Sequence, residues 1–235
     1  MEDPSDSGLL QEGGAFTTAP KWVDRTTPNP DVAFGNSVRQ GTMGDASEKG
    51  LMAAHAALTY PLVDDPALNG GFLREDAKLT MIVISDEEDS SPSTVDFYVD
   101  AFKNIKGYRR PDLMSFSAVV GEEPSGCSSS AGAAGAGIRY LEVARRTGGL
   151  ERSICTTNWG QLANDLGLDA FGAKSDFYLT REAIDTTIEV RVDGVLVPRA
   201  GNWNYDAASN AVSFEATATP AQGAEVRIDY GTICR

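Results

Sequence analysis

The stretch Leu79-Thr80-Met81-Ile82-Val83-Ile84-Ser85 is almost wholly apolar and stops at four consecutive acids, Asp86-Glu87-Glu88-Asp89. A run this short and this uniformly apolar suits a strand buried on both faces of a parallel sheet. Parallel strands need crossover connections, usually helices, and the flanking sequence supplies them. Before the run, Asp45 and Glu48 stand at capping-box spacing, and Leu51, Ala54, His55 and Leu58 recur at three- and four-residue steps, which predicts a helix from Asp45 to Leu58 ending near Pro61. After it, Ser93 opens a helix with Val95, Val99, Phe102 and Ile105 on one side, closed by Gly107. Leu113 to Val120 is a second buried-strand candidate, Ile138 to Thr147 a third helix stopped by Gly148-Gly149, Ser153 to Cys155 a short strand, and Trp159 to Leu168 a fourth helix. Strand alternating with helix predicts an α/β layer with a doubly wound sheet over residues 1–175.

Beyond about residue 175 the apolar period changes to two. Thr187 to Val192 alternates, Asp193-Gly194 is a hairpin pair, Val195 to Val197 returns the strand, and residues 211–215 and 225–230 alternate again. Residues 176–235 are therefore expected to form a small antiparallel β domain. Residues 1–44 are rich in proline and glycine; only Lys21-Trp22-Val23 reads as a strand there, with a brief helix capped by Asp31 through Phe34 and Val38.

Charge and rare residues narrow the function. Acids outnumber bases by enough to give a net charge of −14, which opposes a phosphate backbone or an anionic membrane face as partner. No apolar run approaches the roughly 20 residues of a spanning helix. The opening Met1-Glu2-Asp3-Pro4-Ser5-Asp6 is acidic, unlike the basic start of an export signal. A single histidine, His55, lies on the apolar stripe of the first long helix and reads as a packing residue. The glycines from Gly132 to Gly137 match neither GxGxxG nor a Walker loop and read as a flexible connection. Trp159, Trp203 and Tyr205 are expected as core anchors rather than a sugar platform.

The acidic turn is the main candidate site, because open α/β sheets place their crevices at the carboxyl ends of strands. Several carboxylates of the cluster Asp86-Glu87-Glu88-Asp89, with the hydroxyls of Ser90 and Ser91, are hard ligands suited to Mg²⁺ or Ca²⁺, Asp86 first and Glu87 and Asp89 as further candidates. The competing reading is a solvated turn favouring the N-terminus of the next helix.

Taken in order, Gly41-Thr42-Met43-Gly44-Asp45, Glu48-Lys49-Gly50-Leu51, Asn69 to Arg74 and Met81 to Asp89, followed by Ala118 to Gly121, Cys127, Arg139-Tyr140, Thr147 to Gly149 and Ser153 to Cys155, resemble the second half of a von Willebrand factor A-type domain. The version most similar is that of exported bacterial surface lipoproteins, and the match spans roughly residues 20–172. The resemblance implies a Rossmann-like sheet carrying a metal-ion-dependent adhesion site, with Asp86 as the ligand after the fourth strand and Thr42 or Asp45 as the ligand before a helix. Two departures stand out: Asp86-Glu87 replaces the usual Asp-Gly, and no DxSxS strand precedes these elements. The domain is thus expected to be incomplete at its N-terminal side, leaving the Leu79–Ser85 strand without its usual neighbour, so that either another segment fills the gap or the chain is weakly stable and open to self-association. The resemblance also implies a disulfide between Cys127 and Cys155, with Cys234 left over, and so an oxidising, extracellular or outer cell-surface location.

The function expected from these features is a non-enzymatic, metal-dependent adhesion or protein-binding module that takes a ligand carboxylate on a divalent ion. Two alternatives remain: a structural subunit whose open sheet edge a partner strand completes, and a carboxylate-dependent hydrolase, disfavoured because its acids sit in one turn rather than across a cleft.

Overall fold

A computed structural model describes residues 8–11, 20–39, 47–75, 77–107, 113–130, 132–171, 175–221 and 224–232. The fold is mixed α/β. Helices α1 (Pro30–Ser37), α2 (Gly50–Ala57), α3 (Val95–Ile105), α4 (Ile138–Thr147) and α5 (Trp159–Phe171) accompany strands β1 (Leu79–Ile84), β2 (Met114–Val120), β3 (Cys127–Ser129), β4 (Gly132–Ala134) and β5 (Glu151–Ser153). Six further strands follow: β6 (Asp176–Tyr178), β7 (Glu189–Val192), β8 (Val195–Val197), β9 (Trp203–Asp206), β10 (Ala211–Phe214) and β11 (Val226–Asp229). No helix among the described residues is long and apolar enough to cross a membrane.

β1, β2 and β5 form a parallel sheet in the order β1-β2-β5. Strand β2 is buried along its whole length, as expected of it, with Ser115 and Ser117 buried among its apolar residues. Its alternation divides two layers. Met114, Phe116, Ala118 and Val120 join Tyr98, Val99 and Phe102 of α3 and Tyr140, Leu141, Val143 and Ala144 of α4 in one core cluster. On the opposite face, the Ser117 hydroxyl donates to Asp169 of α5, and Lys78 donates to the Asp169 carbonyl. Thr94 caps α3 by accepting from the Phe97 amide, and Gly148 ends α4 with φ 74°, a left-handed conformation that glycine adopts without Cβ strain.

Strand β1 departs from expectation. It has β2 as its sole strand partner among the described residues, and Ile82 and Ile84 are 44% and 58% exposed. An apolar run predicts burial only if a neighbour arrives to cover it, and among the described residues no strand flanks the other side of β1. Helix α2 also begins later than its capping box predicts: Glu48 and Lys49 are not helical. Its first amides are met by distant groups instead, Gly50 by the Tyr140 hydroxyl, Leu51 by Asp89 and Met52 by Ser91. Lys21 to Val23 form no strand; the Lys21 ammonium reaches the carbonyls of Ala67 and Leu68. Pro30, not Asp31, opens α1, which buries none of its residues.

The glycine-rich connection after β2 is an ordered hairpin, β3–β4, with Cys127 paired to Ala134 and Ser129 to Gly132. Its glycines permit close approach: a Cβ on Gly121 would lie 1.9 Å from the Gly135 carbonyl oxygen. Residues 175–221 and 224–232 form two antiparallel sheets, β6-β10-β9 and β11-β7-β8, around Leu179, Ile188, Val190, Trp203, Val212 and Phe214. Asp193 (φ 50°) and Gly194 (φ 79°) make the β7–β8 turn that this pair predicts. Strands β6 and β9 went unpredicted, being short and interrupted by polar residues. Trp203 is a core residue as expected, whereas Trp159 is 46% exposed at the start of α5. His55 is partly buried against Phe97 and Tyr98, in the packing role assigned to it.

Candidate functional site

The four acids that end β1 divide into two pairs. Ser85, the first residue after β1, both accepts from the Glu87 amide and donates to the Glu87 carbonyl through its hydroxyl, which turns the chain sharply. The Asp86 carbonyl accepts from the Gly135 amide at 2.8 Å, fixing the turn to the loop that follows β4. The side chains of Asp86 and Glu87 project outward and are exposed.

Glu88 and Asp89 turn inward. The Glu88 carboxylate accepts from the amides of Ile138 and Arg139 at 2.9 and 3.1 Å, capping α4 from a distant part of the chain. A carboxylate there also answers the positive end of the helix. Asp89 is the hub: its carboxylate accepts from the Leu51 amide, from the amide and hydroxyl of Ser91, and from Nε of Arg139 at 2.9 Å. The Asp89 side chain is fully inaccessible while that of Arg139 is 27% exposed. Arg139 also donates to the carbonyls of Ser91 and Ser93, immediately before α3. One buried carboxylate thereby fastens the starts of α2, α3 and α4 to the end of β1. Burial, and then the nearby negative charge of Asp89, push the Tyr140 phenol far above its ordinary range, so it stays protonated beside the hub.

The disulfide between Cys127 and Cys155 joins hairpin β3–β4 to the turn after β5, with Cα atoms 6.1 Å apart. Because Gly135 follows that hairpin and holds Asp86, the disulfide braces the same end of the sheet from which Asp86 projects.

The expected site residues therefore have separate fates. Asp86 and Glu87 lie together on the rim, and Asp89 lies beneath them within an ion pair. Thr42 and Asp45 fall outside the described residues, as does Cys234. Among the described residues, no three His, Cys, Asp or Glu groups come together as a metal-holding set. Asp86 and Glu87 supply two carboxylates with the hard oxygens that Mg²⁺ or Ca²⁺ prefers, and a complete shell needs further oxygens. Comparisons with family models, with curated proteins and with solved structures return no match.

Sequence reasoning included Glu88 in the acidic cluster but missed its role as the cap of α4, and it missed Arg139 as the partner of Asp89. A signal was available: an arginine in the first turn of a helix opposes the helix dipole and calls for a nearby carboxylate. A second cation, Arg145, is occupied by Glu123 and Glu151, whose hydrogen bonds push its guanidinium still higher. The cleft that it lines with Glu122 and Arg152 is thus a place where charges are already matched.

Proposed function

We propose that this chain is a non-enzymatic binding module of the von Willebrand factor A type, of the kind found in exported bacterial surface lipoproteins. Its ligand carboxylate is taken through a divalent ion, Mg²⁺ or Ca²⁺, at the rim formed by Asp86. The observation that carries this reading is the division of the acidic turn. Glu88 and Asp89 are consumed by amides and Arg139, whereas the adjacent Asp86 and Glu87 stay exposed at the carboxyl end of a parallel strand. The order β1-β2-β5, with helices on both faces, agrees with the later half of such a sheet.

In this proposal Asp86 is the anchoring ligand, Thr42 or Asp45 supplies a second oxygen, and Glu87 extends the rim. The ion, when bound, supplies a positive centre on which an incoming carboxylate closes the shell. The Cys127–Cys155 disulfide supports an oxidising, extracellular setting, because such bonds persist there. Calorimetric titration with Ca²⁺ and Mg²⁺ tests the proposal. A site with few protein ligands is expected to bind with a Kd of about 10⁻⁴–10⁻³ M. That binding is expected to vanish in Asp86→Ala; wild-type protein that takes up neither ion refutes it.

A second reading has its own observation. The open side of β1, with Ile82 and Ile84 exposed, favours a subunit whose sheet is completed by a partner strand. Strand completion is expected to be indifferent to chelation, so the stoichiometry of complexes with and without EDTA separates the two.

A further inference from the structure

Among the described residues no strand pairs with the outer edge of β1. Its six residues hold no charge, proline or glycine, and its register with β2 runs one-to-one from Leu79↔Met114 to Ile84↔Val119, without a bulge. Those are the devices by which edge strands are usually blunted, and β1 uses none of them. The outward groups follow from the ladder. Ser85 donates to the Val119 carbonyl, and Val119 lies opposite Ile84, so the odd-numbered residues of β1 bond to β2. By alternation the amides and carbonyls of Thr80, Ile82 and Ile84 point away from β2, toward the open side.

We propose that this edge pairs antiparallel with β1 of a second copy of the chain, with Ile82 on the two-fold axis. The proposal rests on the strand-completion reading and specifies its partner. Only a register that sets even-numbered residues opposite even-numbered ones lets these outward groups exchange hydrogen bonds. With Ile82 facing its own copy and Thr80 facing Ile84, about six main-chain bonds form. The three-stranded sheets then become one continuous sheet of twice the width. On one face Ile82 covers Ile82 of the other copy, and Ile84, the other exposed apolar residue of the strand, packs against Thr80 of that copy.

Charge selects the same register. Lys78, whose ammonium also donates to the Asp169 carbonyl, precedes the strand and Asp86 follows it, both in the even-numbered series, so the antiparallel arrangement sets Lys78 of each copy beside Asp86 of the other. A parallel pairing would bring like charges together at both ends. The net charge of −14 on each copy opposes association at long range, but that repulsion is screened beyond about 8 Å at physiological salt.

Sedimentation of the full chain in 0.15 M salt with EDTA, over a concentration series, tests the pairing. A reversible dimer is expected. Ile82→Lys places two like charges on the axis and is expected to weaken the dimer by about tenfold or more. Ile84→Lys is a second such variant should the first fail to fold, which circular dichroism reports. Lys78→Glu is expected to weaken the dimer, and Lys78→Glu combined with Asp86→Lys to restore it. A chain that stays monomeric throughout the series, or a dimer that either lysine variant leaves intact, overturns the pairing; failure of the charge swap to restore the dimer overturns the register. Repeating the series in Ca²⁺ keeps the two proposals apart. An ion on Asp86 is expected to compete with Lys78 and weaken the dimer, whereas a dimer unchanged by Ca²⁺ counts against the ion site alone.

Discussion

Replacing Asp89 by alanine is expected to damage the fold out of proportion to a loss of one acid in an acidic protein. The Asp89 carboxylate is fully inaccessible and accepts from the Leu51 amide, the Ser91 amide and hydroxyl, and Arg139 Nε. Truncation strips the acceptor from the two amides, and an orphaned buried donor costs about 1–3 kcal/mol. Arg139 contributes at the low end, because it is 27% exposed and retains the Ser91 and Ser93 carbonyls. The expected total is about 3–5 kcal/mol, a large part of the stability of an ordinary domain. Asp86→Ala, three residues earlier, keeps the Asp86 carbonyl bond to Gly135 and removes only an exposed side chain, so its cost is expected within about 0.5 kcal/mol. Urea unfolding followed by far-ultraviolet circular dichroism measures both. Equal midpoints for the two variants, or a loss below about 1 kcal/mol for Asp89→Ala, would refute the division of the turn into structural and exposed acids.

Three further outcomes are expected. Cys127→Ser with Cys155→Ser opens a link spanning 28 residues and is expected to cost about 3.5 kcal/mol on loop-closure grounds, measured by the same unfolding assay. Glu88→Ala removes the cap of α4 at a cost of about 1–2 kcal/mol, and hydrogen exchange at the Ile138 and Arg139 amides is expected to accelerate. Burial lowers the His55 pKa from its ordinary 6.5, so the unfolded chain binds a proton more readily. His55 therefore contributes stability that is present above pH 6.5 and lost as pH falls toward the folded value, and His55→Gln is expected to flatten stability between pH 7 and 5.

Much of the α/β part was legible because its signals are local. The apolar spacing of α3, the apolar residues of β2 and the Gly148 stop each lie within a few residues of what they specify, and the cap of α3 is Thr94, one residue after the Ser93 expected to open it. Errors arose where a distant group supplied what a local one was expected to supply. Helix α2 starts at Gly50 because Tyr140, Asp89 and Ser91 satisfy its first amides, which makes the Asp45–Glu48 box unnecessary as a cap. Burial of β1 failed for the opposite reason: apolarity reports what a strand requires, not whether a neighbour arrives. In the site, composition marked the acidic turn but could not assign its members. Asp86 and Asp89 carry the same group, and only the positions of Arg139 and the α2 amides decide which of them turns inward.

The central claim is that Asp86 and Glu87 form an ion-accepting rim above a buried Asp89 hub that takes no part in binding. Titrating Ca²⁺ into isotopically labelled protein while following backbone amide resonances tests it most directly. Saturable shifts at Asp86, Glu87 and Gly135, absent in Asp86→Ala, with Ser91 and Arg139 unmoved, are the predicted result. No shift at the rim, or shifts that begin at Ser91 and Arg139 and persist without Asp86, would contradict it.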